Sequence, residues 1–253
     1  MTVTHLSDSR RNSDPHWEAR VDLACAFRWT ARLNMHEGVA NHFSLSVADD
    51  GSQFLMNPNG RHFSRVRASE LLLLDAHDPA TMERPDAPDP TAWDIHGALH
   101  RQVPTARCVM HVHSKYATVL STLKDPTMPP IDQNTMHFYE QVAYDDGYDG
   151  MGLGDEAERL ATKLGDKKIL VLGNHGVLYA NDSVAQTFDD MYYFERACET
   201  LITAYMTGRD LAVVSDAVAR KTAQQWQDYA TLPGRHFRAL KEILDQEEPD
   251  YRT

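Results

Sequence analysis

The sequence holds 253 residues, with 37 acidic and 25 basic side chains and a formal net charge of −12. That length suits one compact domain with a sizeable core. The acidic balance and the lack of any Lys/Arg block argue against a general nucleic-acid or anionic-membrane binder. No stretch approaches the roughly 20 apolar residues of a membrane span.

Residues 1–14 are polar, lack the apolar core of a signal peptide and are expected to be flexible. Cys25, Cys108 and Cys198 are widely spaced in apolar surroundings, with no Cys-x-x-Cys, and read as buried free thiols of a reducing compartment. A cytoplasmic protein is the expectation. From Pro15 the spacing of Trp17, Val21, Ala24, Cys25, Phe27, Ala31 and Leu33 predicts a helix, with Gly38 ending it. The period then changes. His42-Phe43-Ser44-Leu45-Ser46-Val47 alternates, which predicts a strand with Phe43, Leu45 and Val47 facing inward. Asp49-Asp50-Gly51-Ser52 reads as a turn into a returning strand, Gln53-Phe54-Leu55-Met56. Asn57-Pro58-Asn59-Gly60 is a tight loop in which Gly60 supplies either positive φ or a close backbone approach to a ligand.

Leu71 to Leu74 is a short buried segment. Pro79, Pro85, Pro88 and Pro90 then make a loop. A helix follows, with Thr91 as the expected cap and Ile95, Leu99 and Val103 on one face. His96 and His100 share a neighbouring face of it. Cys108-Val109-Met110-His111-Val112-His113 is an apolar strand ending in two histidines that project the same way, because residues i and i+2 share a face. A helix over 114–123 packs behind them. Residues 141–154, rich in Asp, Gly and Tyr, are expected to be irregular. A short helix over 155–164 ends at Gly165, and Ile169 to Leu172 is a buried strand. It leads to Asn174-His175-Gly176 and then to a long helix opened by the capping pattern Ser183-Val184-Ala185-Gln186. Helices around 215–229 and 233–246 close the chain. Strands with helices between and after them give an α/β protein with some antiparallel pairing.

His111, His113 and a third histidine at the end of another apolar run, His175, are the expected metal ligands. Two paired imidazoles and a distant third can hold a catalytic divalent ion with positions left open. The alternative for the pair alone is two hydrogen-bonded histidines at a strand end.

The order of motifs then matters more than any one of them. Ala40-Asn41-His42-Phe43-Ser44, Asn57-Pro58-Asn59-Gly60, the helix from Trp93 to His100, His111/His113 and Asn174-His175-Gly176 resemble, in order and spacing, the class II aldolase/adducin domain family. The resemblance covers roughly residues 17–210. It makes 15–253 a single domain of that type, with a helical extension over about 210–253. It implies a three-layer α/β fold, a central and mostly antiparallel sheet flanked by helices, and a homotetramer with sites near subunit interfaces. It implies a divalent metal, zinc first and manganese or another divalent ion as alternatives, on His111, His113 and His175. It also implies an enolate-stabilising reaction on a small molecule. Asn41, Asn59 and Gly60 fall at positions that shape the substrate pocket.

The departures narrow the reaction. Sugar-phosphate aldolases of the family carry Ser-Ser-Glu just before the Trp of the helix start. Here the residues are Pro90-Thr91-Ala92-Trp93. Ala92 transfers no proton, and Pro90 donates no hydrogen bond. Aldol cleavage of a sugar phosphate is disfavoured, and His96 and Tyr139 become the candidate proton-transfer groups, with His137 and Glu140 nearby in sequence. The expected activity is a metal-dependent lyase, of decarboxylase or aldolase type, acting on a small non-phosphorylated hydroxy- or oxo-carboxylate. The alternatives are a non-catalytic adducin-like assembly module and an epimerase or dehydratase on the same fold.

Overall fold

The computed structural model describes residues 13–147, 150 and 155–253. The expected flexible segment 1–14 and the irregular stretch 141–154 lie partly outside them. Seven strands form one sheet: β1 (His42–Ser46), β2 (Gln53–Met56), β3 (Leu72–Asp75), β4 (Cys108–Val112), β5 (Val142–Asp145), β6 (Ile169–Leu172) and β7 (Gly176–Asn181). Their order is β3-β2-β1-β4-β7-β6-β5. Every neighbouring pair is antiparallel except β5 with β6. The expected mostly antiparallel, three-layer α/β architecture is therefore observed.

The helices are α1 (Trp17–Arg32), α2 (Pro90–Gln102), α3 (Lys115–Ser121), α4 (Gln133–His137), α5 (Asp155–Leu164), α6 (Val184–Met206), α7 (Asp216–Asp228) and α8 (Leu232–Glu247). On one face, α1, α3 and α6 cover Phe43, Leu55, Met110, Val112, Val171, Val177 and Tyr179, and α8 packs on α1 and α6. Phe27 stacks on Phe43 with ring centroids 4.7 Å apart, and Phe63 meets Phe27 edge-on at 4.6 Å. Each such pair adds about 0.5–1.5 kcal/mol beyond area burial. On the other face, α2 and α5 cover Val109, Leu170, Leu172, Leu178 and Ala180.

Four expectations need correction. The first helix stops well before Gly38: its C-cap is Leu33, and Asn34 takes φ +54°. Asparagine tolerates the left-handed conformation that closes a helix, so it does the work assigned to glycine. The cap of α2 is Asp89, two residues ahead of Thr91; its carboxylate accepts from the backbone nitrogens of Thr91 and Ala92. Residues 142–145 are the ordered strand β5, because their backbone pairs with buried β6. Strand β7, which sequence reading did not single out, joins β6 to β4 at the centre of the sheet.

The C-terminal helices pack onto the core. Phe237, Leu240 and Leu244 of α8 enter it. The buried Arg28 guanidinium grips Glu248 at 2.9 Å and Asp250 at 3.0 Å, and its Nε donates to the Val66 carbonyl. That clamp ties the end of the chain to α1.

The three cysteines, on α1, β4 and α6, are all buried on the same side of the sheet. Burial pushes the Cys108 thiol up to about 12 and raises those of Cys25 and Cys198. No helix among the described residues is long and apolar enough to cross a membrane.

Candidate metal site

The pleat carries His111 to the α2 face of β4, and the chain leaving the strand carries His113 the same way. His175 arrives on the three-residue turn between β6 and β7. Asn174 takes φ +56° there, and its nitrogen donates to the Ser121 carbonyl at 2.9 Å, which pins the turn to the end of α3. Gly176 makes the approach possible. A Cβ on it would stand 2.7 Å from His113 Cδ2 and 2.7 Å from the Val112 carbonyl oxygen.

The three rings converge. Their centroids lie 4.8 Å apart for His111–His113 and 4.9 Å for His175 with either. Their ligand nitrogens all fall within 4.8 Å of one another. His111 Nδ1 donates to the Val177 carbonyl at 3.2 Å. His113 Nδ1 donates to the Glu37 carboxylate at 2.6 Å. As metal ligands, each with one N–H, both rings would present a bare Nε2. These two atoms face each other at 3.0 Å. Two lone pairs at that distance repel unless a cation lies between them. The donor set therefore fits a divalent ion, and the outer hydrogen bonds fix ligand tautomers as metal sites do. Burial lowers the pKa of His111 well below the ordinary imidazole value, with the neighbouring histidines adding to it, and lowers that of His175. Both rings are thus neutral at pH 7.

Glu195 braces the site from behind. This carboxylate on α6 accepts from Ser114 Oγ at 2.7 Å, Tyr116 nitrogen at 2.9 Å and Ala117 nitrogen at 3.0 Å. It caps α3 directly after His113, where the helix dipole favours negative charge.

Of the expected pocket residues, Asn41 is buried beside Glu37. Its Oδ1 accepts from the Glu37 nitrogen at 2.7 Å, and its Nδ2 is buried with no partner. Asn59 and Gly60 lie on an exposed turn. Gly60 has φ +71° and nothing near its missing Cβ, so the turn needs the glycine for its backbone conformation. His96 is fully buried, and among the described residues its ring nitrogens bond to His42 and Ser44, not to the triad. Tyr139 is not brought to the triad either: its ring lies under Arg220 of α7 and its hydroxyl partners Asp216. Nor are its neighbours. His137 is stacked between Phe138 and Trp226, and Glu140 pairs with Arg220. Ala92 packs with Phe54, Met56, Leu72 and Leu74.

Sequence reasoning missed Glu37, Asp89, Glu195 and the role of His42. Asp89 is close enough to His42 to favour that ring's charged form, although burial outweighs it and lowers the pKa to about 3. The available signal was the polar parity of His42, Ser44 and Ser46, three residues aimed at the face where His96 and His100 also lie.

Residues 21–202 match the model of the class II aldolase and adducin N-terminal domain. A Caulobacter vibrioides protein described as a candidate aldolase of class 2 is 31% identical over 94% of this chain and 93% of its own. The Streptomyces niveus decarboxylase NovR is 26% identical over 91% of this chain and 85% of its own. An aldolase II superfamily protein from Pseudomonas syringae superposes with a TM-score of 0.86 at 32% identity, covering 97% of this chain and 100% of that one. The chain belongs to the class II aldolase and adducin N-terminal domain family.

Proposed function

We propose that the protein is a divalent-metal-dependent lyase acting on a small, non-phosphorylated hydroxy- or oxo-carboxylate, with decarboxylation or aldol-type cleavage as its reaction. One observation carries this reading: the Nε2 atoms of His111 and His113 facing each other at 3.0 Å, with His175 closing the triad. Three imidazoles suit zinc first and manganese or another divalent ion second. A bound ion would supply Lewis-acid polarisation of a substrate oxygen and so an electron sink.

The chain's own residues do the rest. Glu37 and the Val177 carbonyl hold the ligand rings in one tautomer. Asn41 Nδ2, buried and unpartnered, is available to donate to a substrate oxygen. The position of the family's Glu is Ala92, turned into an apolar cluster. Decarboxylation tolerates that loss better than aldol chemistry does, because the departing carbon dioxide leaves the electron pair behind and only a final protonation is needed. The relative named a decarboxylase supports the same direction. His96 would act only through His42, and Tyr139 would act only if a second subunit brought it to the site.

A homotetramer in the cytoplasm is the accompanying proposal. Exposed Tyr205, Met206, Val213 and Val218 near the end of α6 and on α7 support self-association, and the buried thiols support a reducing compartment.

The test is metal analysis of purified protein, with a screen of 2-hydroxy- and 2-oxo-carboxylates for carbon dioxide or carbonyl product. About one divalent ion per chain is expected, with His111→Ala losing both metal and turnover. Full turnover in metal-free protein, or in His111→Ala, would overturn the reading.

A further inference from the structure

The buried face of β1 and α2 carries a chain of hydrogen bonds whose direction can be read from one end. The Ala106 carbonyl only accepts, so His100 Nδ1, 2.8 Å away, holds its proton toward it. Burial lowers the pKa of His100 to about 4, so the ring is neutral and its Nε2 is bare. Ser44 Oγ lies 2.7 Å from that Nε2 and must donate its single proton there. The Ser44 oxygen is then left to accept from His96 Nδ1. His96, also neutral through burial, has a bare Nε2 in consequence, and His42 Nδ1 donates to it at 2.7 Å. The chain ends with His42 holding its proton on Nδ1 and a lone pair on Nε2. Reversing any link would place two lone pairs, or two protons, against each other.

His42 stands opposite His111 in the β1–β4 register, with ring centroids 4.9 Å apart. No hydrogen bond from the described residues reaches its Nε2, and that atom is not among the buried polar atoms left without a partner. It is therefore not sealed off, and its ring lies next to that of His111.

We infer that the Ala106–His100–Ser44–His96 chain makes His42 Nε2 a fixed hydrogen-bond acceptor beside the metal, so that the site selects substrates carrying a hydroxyl next to the chelating carboxylate. This narrows the lyase reading, on which it rests, to 2-hydroxy-carboxylates whose C3 is a carbonyl, which takes the electron pair when carbon dioxide leaves. An O–H satisfies the Nε2 lone pair. A ketone or ether oxygen at the same place meets it lone pair to lone pair. His42 would touch the substrate; His96, Ser44 and His100 are positioning residues.

Two measurements test this. Long-range 15N–1H correlation spectra of the metal-free protein read histidine tautomers directly. The Nδ1–H form is expected for His42, His96 and His100, and Ser44→Ala should turn His42 and His96 into tautomer mixtures. A proton on Nε2 of His42 in the unaltered protein overturns the inference, and that reading needs no variant to fold. Calorimetry on the zinc-loaded protein then compares lactate with pyruvate and 2-methoxypropionate, which lack the donor. Lactate is expected to bind about tenfold more tightly than either, equivalent to about 1.4 kcal/mol. Ser44→Ala should shrink that ratio. Equal binding of the three, or binding of none, overturns the selection. Failure of zinc to bind at all would instead sink the lyase reading, and the tautomer spectra would still decide the direction of the chain.

Discussion

Gly176→Ala gives a sharp test of how the triad is assembled. The new Cβ would lie 2.7 Å from the Val112 carbonyl oxygen and 2.7 Å from His113 Cδ2. Ordinary contact would need roughly 0.7 Å more on each side. The carbonyl belongs to the β4–β7 ladder, where Val112 is paired with Val177, and has little room to move. The His113 ring is the softer side, so it is expected to yield and to leave its place opposite His111. Overpacking of this kind costs about 1–3 kcal/mol. In a chain of this size that lowers Tm by about 2–12 °C. The larger effect falls on metal. Zinc held at a thousand times its Kd stabilises the unaltered protein by about 4.1 kcal/mol, and a hundredfold loss of affinity would leave about 1.4 kcal/mol at the same zinc concentration. Scanning calorimetry with and without zinc should therefore show the metal-induced rise in Tm falling to about a third. Gly234→Ala is the control, because its added methyl meets nothing within 4 Å. An undiminished zinc-induced rise in Gly176→Ala would refute the reasoning.

Glu37→Gln keeps the shape of the His113 partner and removes its charge; about 10–100-fold weaker zinc binding is expected, read by competition with a chromophoric chelator. Unchanged affinity would show that Glu37 does not orient the ligand. Glu195→Ala strands three donors at the start of α3 and should cost about 3 kcal/mol, or a Tm lower by about 6–12 °C; a shift under about 2 °C would contradict that role. The buried histidines also set an acid limit. His100 and His137 are both lowered to about 4, so the unfolded chain takes up protons first as pH falls below about 6.5. Between pH 7 and 5 each should remove on the order of 2 kcal/mol of stability, with the loss levelling off below pH 4. Urea melts of metal-free protein across that range check the sign, and a stability that rose toward pH 5 would exclude it.

The convergence of His111, His113 and His175 was legible because the strand period of 2 and the ends of apolar runs are local properties that need no tertiary knowledge. The alternation of β1 was legible too, but its meaning was not. Phe43 and Leu45 do face the core, yet the polar parity is equally buried under α2, because His42, Ser44, His96 and His100 satisfy one another there. A two-sided burial of this kind depends on a helix about 50 residues away, which no local window contains. The same distance hid Glu37 and Glu195. Glu37 meets a histidine 76 positions on, and Glu195 caps a helix 79 positions before it. Strand β7, six residues long, was missed because it lies between two stronger signals, Asn174-His175-Gly176 and the helix cap at Ser183. Tyr139 was chosen by chemistry and order along the chain, and the packing of α4 against α7 carries it elsewhere.

The three thiols offer a way to watch the molecule open. Cys25, Cys108 and Cys198 sit on a helix, a central strand and a second helix of the same layer, all inaccessible and all poorly ionised. Alkylation at each one is gated by separation of its own element from the sheet. Mass-resolved labelling rates in the resting protein would thus clock α1, β4 and α6 independently. If the layer moves as one body, the three sites would be modified in step, and if the N-terminal helix peels first, Cys25 would lead.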